Sequence, residues 1–334
     1  MANQNALLAR GERASVYGTI QRAGYVALVV TPVALLAGAL VAPAELSAGA
    51  LTLESGVLLV GGFAAVVERH HVAGRLEAPG LTHRDARDVV AVVAGAAVTY
   101  GLSVHAGFGP VLASAAVGLV AGVGLPDVDV PVYCGSFVGM ASPAVFPSAE
   151  SLGIAALVAG LAFVAATESF GGYGGKLGTL ALFGCLTTVV LSGVTFAGGS
   201  PVQWDRAHLV VPVTVLGAVA TFALSVRLDL GAVIGSALVG VAAGVVLPAA
   251  LPTVGGTLAA AAFCASFVGM SSPDRLVTER HVALAGVVCG LVFVVVTPVF
   301  GGAGGKLGTV AFISCVSVAG ASELRDALDS LTAR

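Results

Sequence analysis

Charged side chains are scarce in this sequence: Asp, Glu, Lys and Arg make up 10% of the 334 residues, and hydrophobic residues make up 57%. A soluble domain has about 25% charged residues, so the composition excludes a water-soluble globular protein. The mean hydropathy is +1.01, and apolar runs approach the roughly 20 residues that a helix needs to cross a hydrocarbon core. The clearest runs are 25–41, 89–104, 111–125, 152–166 and 282–299. We therefore predict an all-α, polytopic integral membrane protein with about twelve helices.

Cysteine and tryptophan are also few, with five residues and one residue. The cysteines lie inside apolar runs and lack the spacing of a metal site, so we predict no metal, no cofactor and no disulfide framework. Trp204 stands in a connector, where an interfacial anchor is expected. Arg10, Arg13 and Arg22 precede an apolar run that is longer than the core of a signal peptide. We expect a cell-membrane protein with no cleaved signal and with both termini on the cytoplasmic side.

Lysine occurs only twice, as Lys176 and Lys306, at the same place in a duplicated decapeptide. The pattern Phe-Gly-Gly-x-Gly-Gly-Lys-Leu-Gly-Thr covers residues 170–179 and again residues 300–309. A cation between two long apolar runs is costly unless it meets water, a ligand or an acidic partner. The two lysines are therefore the best pointer to function in the sequence.

The duplication extends well beyond this decapeptide. The pattern Cys-x-Ser-Phe-Val-Gly-Met-x-Ser-Pro covers 134–143 and 264–273, again 130 positions apart. Upstream the spacing falls to 122, as Leu102 and Leu224 show, so the second copy carries about eight extra residues. The predicted units are a two-helix N-terminal extension at 1–78 with helices near 23–43 and 49–67, membrane repeat 1 at 79–200, and membrane repeat 2 at 201–334 with a short amphipathic helix from Ser322.

The Ser-Phe-Val-Gly-Met segment decides the symmetry of the two repeats. In the first copy about 12 apolar residues separate Asp129 from Ser142, which suits a half-length or re-entrant helix. In the second copy the run 253–271 is long enough to span. Five crossings per copy would invert the repeats in the membrane, four would keep them parallel, and the arginines fit both equally well. We favour five, because paired broken helices are common in inverted repeats.

The Gly-Gly-x-Gly-Gly-Lys turn is the first candidate substrate site. Glycine permits positive φ and a close approach of backbone amides to a bound atom. A helix that starts near the lysine would offer unpaired N–H groups to an anion or a carboxylate, whereas an interfacial turn whose lysine snorkels to headgroups is the alternative. Glu168 is a candidate partner for Lys176, and its counterpart is Pro298. The predicted substrate-binding residues are Gly174, Gly175, Lys176, Thr179, Gly304, Gly305, Lys306 and Thr309.

The Ser-Phe-Val-Gly-Met-x-Ser-Pro segment is the second candidate. The Ser-Pro pair starts or stops a helix, and helices broken at membrane depth are tolerated where they line a water-filled path. Close packing through small residues is the alternative. The predicted substrate-binding residues are Ser136, Met140, Ser266 and Met270. Packing is also our interpretation of the glycines of other helices, which are Gly118, Gly122, Gly235, Gly240 and Gly244.

Two polar features lie in or near the N-terminal extension. Residues 68–71 and 83–85 resemble a basic cytoplasmic loop near anionic headgroups more than a metal site. Glu54 is an isolated acid inside the second apolar run and is a candidate for a proton or cation role.

Taken together, these features favour a transporter or channel for a small solute, with the path between two pseudo-symmetric repeats and with an anion favoured by the paired lysines. In organisation the chain is similar to duplicated-bundle channels and carriers such as aquaporins and urea transporters, in layout and not in motifs. The alternative is a non-catalytic membrane scaffold or subunit. An intramembrane lipid-handling enzyme has less support, because the sequence lacks a nucleophile–base pair or paired acids at suitable spacing. We predict no enzymatic activity, the lipid bilayer and a small solute or anion as partners, and no nucleic-acid binding.

Overall fold

The computed structural model describes residues 2–41, 48–75, 80–199 and 201–332, and within them the side chains outside 2–15, 48 and 70–75. These residues form an all-α fold with twelve α-helices, as the sequence predicts. The first seven helices are α1 (Ala2–Val41), α2 (Ala48–Arg75), α3 (His83–Tyr100), α4 (Pro110–Gly124), α5 (Asp129–Val138), α6 (Ala149–Ala165) and α7 (Lys176–Ser192). The other five are α8 (Ala207–Phe222), α9 (Ala232–Ala250), α10 (Gly255–Val268), α11 (Glu279–Val295) and α12 (Lys306–Thr332).

The helices fall into two length classes. Six of those described are long and apolar enough to cross a membrane, namely α1, α2, α3, α8, α9 and α12. The other six have 10 to 17 residues. Both α3 and α8 end in a five-residue π-helical turn, at Gly101–His105 and Ala223–Arg227.

Several boundaries differ from the prediction. Helices α1 and α2 cover 2–41 and 48–75 instead of 23–43 and 49–67, so residues 68–71, predicted as a loop, are helical. The segment from Ser322 is helical but not separate, because α12 runs on to Thr332. The run 253–271 contains only the 14 residues of α10. At about 1.5 Å per residue, α10 is about 21 Å long and cannot cross a hydrocarbon core of about 30 Å alone.

The eight extra residues of the second copy have a definite place. Helix α4 has 15 residues and α9 has 19, whereas α5 has 10 and α10 has 14. Four residues thus lengthen the end of α9 and four lengthen the start of α10. Four residues are about one helical turn, so each helix grows while the same face stays toward its neighbours.

The two halves of the chain meet where α7 crosses α12. A Cβ built on Gly178 would lie 2.5 Å from the Gly308 Cα, and a Cβ built on Gly308 would lie 2.5 Å from the Gly178 Cα. The backbones touch directly, which glycine alone permits at this distance. Lys176 and Lys306 are two residues before this contact on their helices.

Four aromatic rings fill the space between α5 and α10. Their centroids lie 4.5 to 6.4 Å apart, and each side chain is at most 2% exposed. A Cβ on Gly118 would lie 2.4 Å from the Tyr133 ring, and a Cβ on Gly240 would lie 2.4 Å from the Phe263 ring. The packing interpretation of these two glycines is therefore confirmed. The four rings are those of Tyr133, Phe137, Phe263 and Phe267.

Candidate functional site

Both lysine side chains donate hydrogen bonds to backbone carbonyl groups at the end of the preceding helix. Lys306 Nζ donates to the Thr297 carbonyl at 2.9 Å and to the Val299 carbonyl at 2.6 Å, just beyond the end of α11. Lys176 Nζ donates to the Ala166 carbonyl at 2.6 Å, just beyond the end of α6. The last carbonyls of a helix lack intrahelical donors and carry partial negative charge, so a cation there is stabilising. The duplicated lysine has a structural role in both copies, and snorkelling to headgroups is not needed to explain it.

The glycine turns take the same backbone conformation in both copies. Phe170 and Phe300 have φ of 51° and 49°, in the left-handed region that non-glycine residues rarely adopt. The following glycines with positive φ are Gly172, Gly175, Gly302 and Gly305, at 77° to 82°. A Cβ on Gly174 would lie 2.1 Å from the Phe267 carbonyl oxygen, and one on Gly304 would lie 2.4 Å from the Phe137 oxygen. These two glycines are required because each turn packs against the end of a short helix from the other half.

Hydrogen bonds exchange between the two halves at these turns. Ser142 N donates to the Gly302 carbonyl, and Ser272 N donates to the Gly172 carbonyl, both at 2.8 Å. Gly174 N donates to Ser271 Oγ at 3.0 Å. The expectation that the glycine amides are free for an anion is thus wrong at Gly174, whose N–H is used by a serine of the other half.

The predicted hydroxyl ligands are all buried inside the protein. Thr179 and Thr309 donate to the Gly175 and Gly305 carbonyls at 3.2 Å. Ser136 and Ser266 lie 2.8 Å from Ser114 and Ser236, and all four predicted hydroxyls have no exposed surface. Their bonds stabilise the helix starts and the short helices. Contact of these hydroxyls with a substrate stays a prediction.

A cavity of about 160 Å³ lies beside Lys306. Three predicted substrate residues line it, namely Met140, Gly305 and Lys306. Phe137 and Phe267, from the aromatic cluster between α5 and α10, also line it, and Ala303 of the second glycine turn faces it. The cavity thus brings residues from both halves of the chain to one lysine. Met270 is partly buried against the main core.

The glycine turn of the first copy is closed by side chains that have no counterpart in the second. Tyr173, at the position of Ala303, is 6% exposed and packs under the Arg275 guanidinium, 4.5 Å from the ring centroid. Glu68 of α2 accepts from Phe170 N at 2.8 Å and from Arg275 Nη2 at 3.1 Å. Arg275 Nε also donates to the Gly171 carbonyl at 2.8 Å.

Sequence reasoning missed this closure. The sequence predicts a loop around Glu68, and it gives Arg275 no role at a site. The one signal of this closure in the sequence is a difference between the two decapeptides: the first has Tyr173 at the position where the second has Ala303, and their other residues match. A large side chain in one copy and a methyl group in the other indicate that the two turns have different surroundings.

The charge around the two lysines also differs. Glu168, the predicted partner of Lys176, accepts instead from Tyr17 Oη at 3.3 Å. Within the described parts of the chain, neither lysine forms an ion pair with a carboxylate. Pro298 replaces Glu168 in the second copy, so the cation that borders the cavity has no acid at that position. No family model, no curated protein and no solved structure matches this chain, so the geometry of this site carries the functional argument.

Proposed function

We propose that the chain is a polytopic membrane protein that binds a small anion beside Lys306 and passes it across the bilayer. The outer helical faces support the membrane assignment, because large apolar side chains are exposed on them. Examples are Leu59 at 75%, Val190 at 79% and Leu216 at 69%. Apolar surface of this kind marks a site of contact with lipid or protein. Together with six helices of spanning length, it fits a lipid environment.

Two hydrogen bonds support an inverted arrangement of the repeats. Arg87 Nη2 donates to the Asp127 carbonyl at 3.0 Å, and Tyr100 Oη donates to the Phe146 carbonyl at 2.9 Å. Arg87 and Tyr100 lie about 20 Å apart along α3. Between Asp127 and Phe146, α5 and the segment after it therefore advance by most of a membrane crossing. This supports counting α5 with the segment after it as a fifth crossing of the first repeat. An odd number of crossings per repeat would invert the second repeat relative to the first.

The cavity beside Lys306 is the observation that carries the anion assignment. An ammonium group has three donors, and the Thr297 and Val299 carbonyls use two of them. One N–H is left for a ligand in the cavity. A full positive charge in a low-dielectric surrounding attracts an anion far more strongly than it would in water, and no described carboxylate pairs with it.

The size and the walls of the cavity limit the substrate class. A volume of about 160 Å³ corresponds to about five water molecules at about 30 Å³ each. It suits an anion of a few non-hydrogen atoms, such as nitrate, formate or acetate. Phe137, Met140 and Phe267 give apolar walls that offer the anion no hydrogen bonds in place of its water. This desolvation cost offsets part of the attraction to Lys306, and conduction requires binding weak enough for the anion to leave again.

A non-transporting membrane subunit is the second candidate function. The observation that favours it is the bonding of both lysines to helix ends, which gives each a role in folding without any ligand. The two functions make different predictions for the lysines. A folding role applies equally to Lys176 and Lys306, whereas a transport role applies to the lysine that borders the cavity.

Lys306→Met is expected to lower anion entry into proteoliposomes at least tenfold, because it removes the positive charge from the cavity. Lys176→Met is the matched control, since it removes the corresponding lysine and its helix-end hydrogen bond away from the cavity. Its rate is expected to stay within about twofold of wild type. Entry is measured as vesicle swelling in isosmotic potassium nitrate, formate and acetate with valinomycin. Melting temperature and gel filtration verify folding, and Lys306→Arg is expected to retain entry.

Three results would contradict the proposal. Wild-type vesicles that swell no faster than protein-free vesicles in all three salts would exclude the anion path. Equal losses in Lys306→Met and Lys176→Met, in folded protein, would assign both lysines to folding and favour the subunit. Unchanged entry in Lys306→Met would remove the cavity from the path.

A further inference from the structure

A second cavity of about 340 Å³ lies between the start of α8, the start of α10 and the end of α11. Its polar lining comes from Gln203, Arg206, Thr257 and Thr297. Arg206 is half-buried and forms no ion pair with any described residue. The neighbouring Asp205 is exposed and does not line the cavity. The cavity is therefore a chamber of mixed polar and apolar lining with one cationic side chain.

Two residues join this chamber to the cavity beside Lys306. Ala260 lines both cavities. Thr297 lines the chamber, and its carbonyl accepts the hydrogen bond from Lys306 Nζ at 2.9 Å. The two cavities are therefore adjacent at Ala260, and the chamber reaches the residue to which Lys306 is bonded.

Four residues of the chamber lining have identical counterparts in the first copy, and the chamber differs from the first copy at its other positions. The identical counterparts of Arg206, Phe293, Val294 and Thr297 are Arg84, Phe163, Val164 and Thr167. Gly256 and Thr257 line it, and both belong to the extra first turn of α10 that α5 lacks. At the spacing of 130, Ala260 corresponds to Val130, a larger side chain. At the upstream spacing of 122, Val210 of the chamber wall corresponds to Asp88, an acid that would oppose an anion.

We propose that the chamber is the entrance of the anion path, that Arg206 draws the anion in, and that Ala260 is the constriction before Lys306. The inference rests on the proposed function, and it assigns the entrance and the narrowest point of the anion path. Two cations in series, with no paired acid among the described residues, form an electrostatic funnel for small oxyanions and carboxylates. Ala260 lines both cavities, and its side chain of one methyl group obstructs a small ion less than the larger Val130 of the first copy would.

Ala260→Trp is expected to reduce swelling in potassium nitrate and formate at least tenfold, because the indole fills the junction of the two cavities. Val130→Trp is the matched control in the first copy. Val130 is 39% exposed, so the ring has room there and swelling is expected to match wild type. Wild-type rates in a folded Ala260→Trp protein would overturn the inference, and the result for Lys306→Met would still decide the proposed function separately.

A labelling experiment tests the chamber without any transport. Thr257→Cys in detergent is treated with an anionic and a cationic methanethiosulfonate reagent, and the wild-type protein supplies the background from its five buried cysteines. The sulfonate reagent is expected to react about tenfold faster than the trimethylammonium reagent, and Arg206→Gln is expected to remove most of this preference. No labelling, or a preference that Arg206→Gln leaves unchanged, would overturn the entrance assignment.

Discussion

Arg275→Met is expected to lower the free energy of unfolding by about 3 kcal/mol, in the range found when one partner of a buried ion pair is removed. The Glu68 carboxylate is 2% exposed and receives the guanidinium at 3.1 Å. Arg275 also binds the Gly171 carbonyl and lies over the Tyr173 ring. Methionine keeps most of the apolar stem, so the loss reports the charge and its hydrogen bonds. Denaturant unfolding in mild detergent, followed by Trp204 fluorescence, measures it.

Arg227→Met is the matched control for this prediction. Arg227 forms an ion pair with Glu279, but its side chain is 64% exposed and that of Glu279 is 44% exposed. Exposed pairs contribute about 0–1 kcal/mol, because water already solvates both charges. Equal losses for Arg227→Met and Arg275→Met would show that burial of Glu68 does not set the strength of its ion pair.

The pair Glu68–Arg275 also shows where sequence reasoning ends. The two residues are 207 positions apart, and no periodicity or spacing relates them. The partner of a charged side chain is decided by which helices pack together, and that packing joins the N-terminal extension to the second half of the chain. By contrast, the apolar runs predicted the all-α fold and about twelve helices. The hydrophobicity and the length of a run can be read from neighbouring residues alone.

The conformation of the glycine turns could be predicted from the sequence, but their hydrogen-bond partners could not. The duplicated pattern predicted a turn that needs positive φ, and Gly175 and Gly305 have φ of 81° and 82°. It did not predict that the neighbouring Gly174 N–H would be used by Ser271 of the other half. A sequence motif specifies backbone freedom within its own residues, whereas the partners of its amides depend on the distant segment that packs against it.

The insertion in the second copy is visible in the sequence as a change of spacing. The sequence does not show which helices the extra residues lengthen. Its division into one extra turn on α9 and one on α10 preserves the facing of both helices. It also places Thr257 at the edge of the larger cavity. The extra turn of α10, which in the sequence lengthens an apolar run to spanning length, therefore contributes to the wall of the larger cavity. Lys306 lines the smaller cavity in the same half of the chain.

Gly308→Ala is expected to lower the free energy of unfolding by about 3 kcal/mol, at the upper end of the cost of overpacking. The added Cβ would lie 2.5 Å from the Gly178 Cα and 3.0 Å from its N. Both are backbone atoms, so α7 and α12 must separate to admit the methyl group. Gly153→Ala in α6 is the matched control: apart from the local backbone of α6 and the neighbouring residues, no atom lies within 4 Å of its added Cβ. Alanine should stabilise that helix by up to about 1 kcal/mol.

Gly178→Ala is expected to cost as much as Gly308→Ala, because the contact is the same in both directions. The double variant is expected to cost clearly less than the sum of the two, since separation of the helices by the first methyl group makes room for the second. Residues in direct contact show such coupling, whereas distant residues add. Denaturant unfolding of the four proteins gives the coupling energy. Strict additivity would mean that the two glycines do not share one backbone contact, and the crossing of α7 and α12 would then not join the halves of the chain.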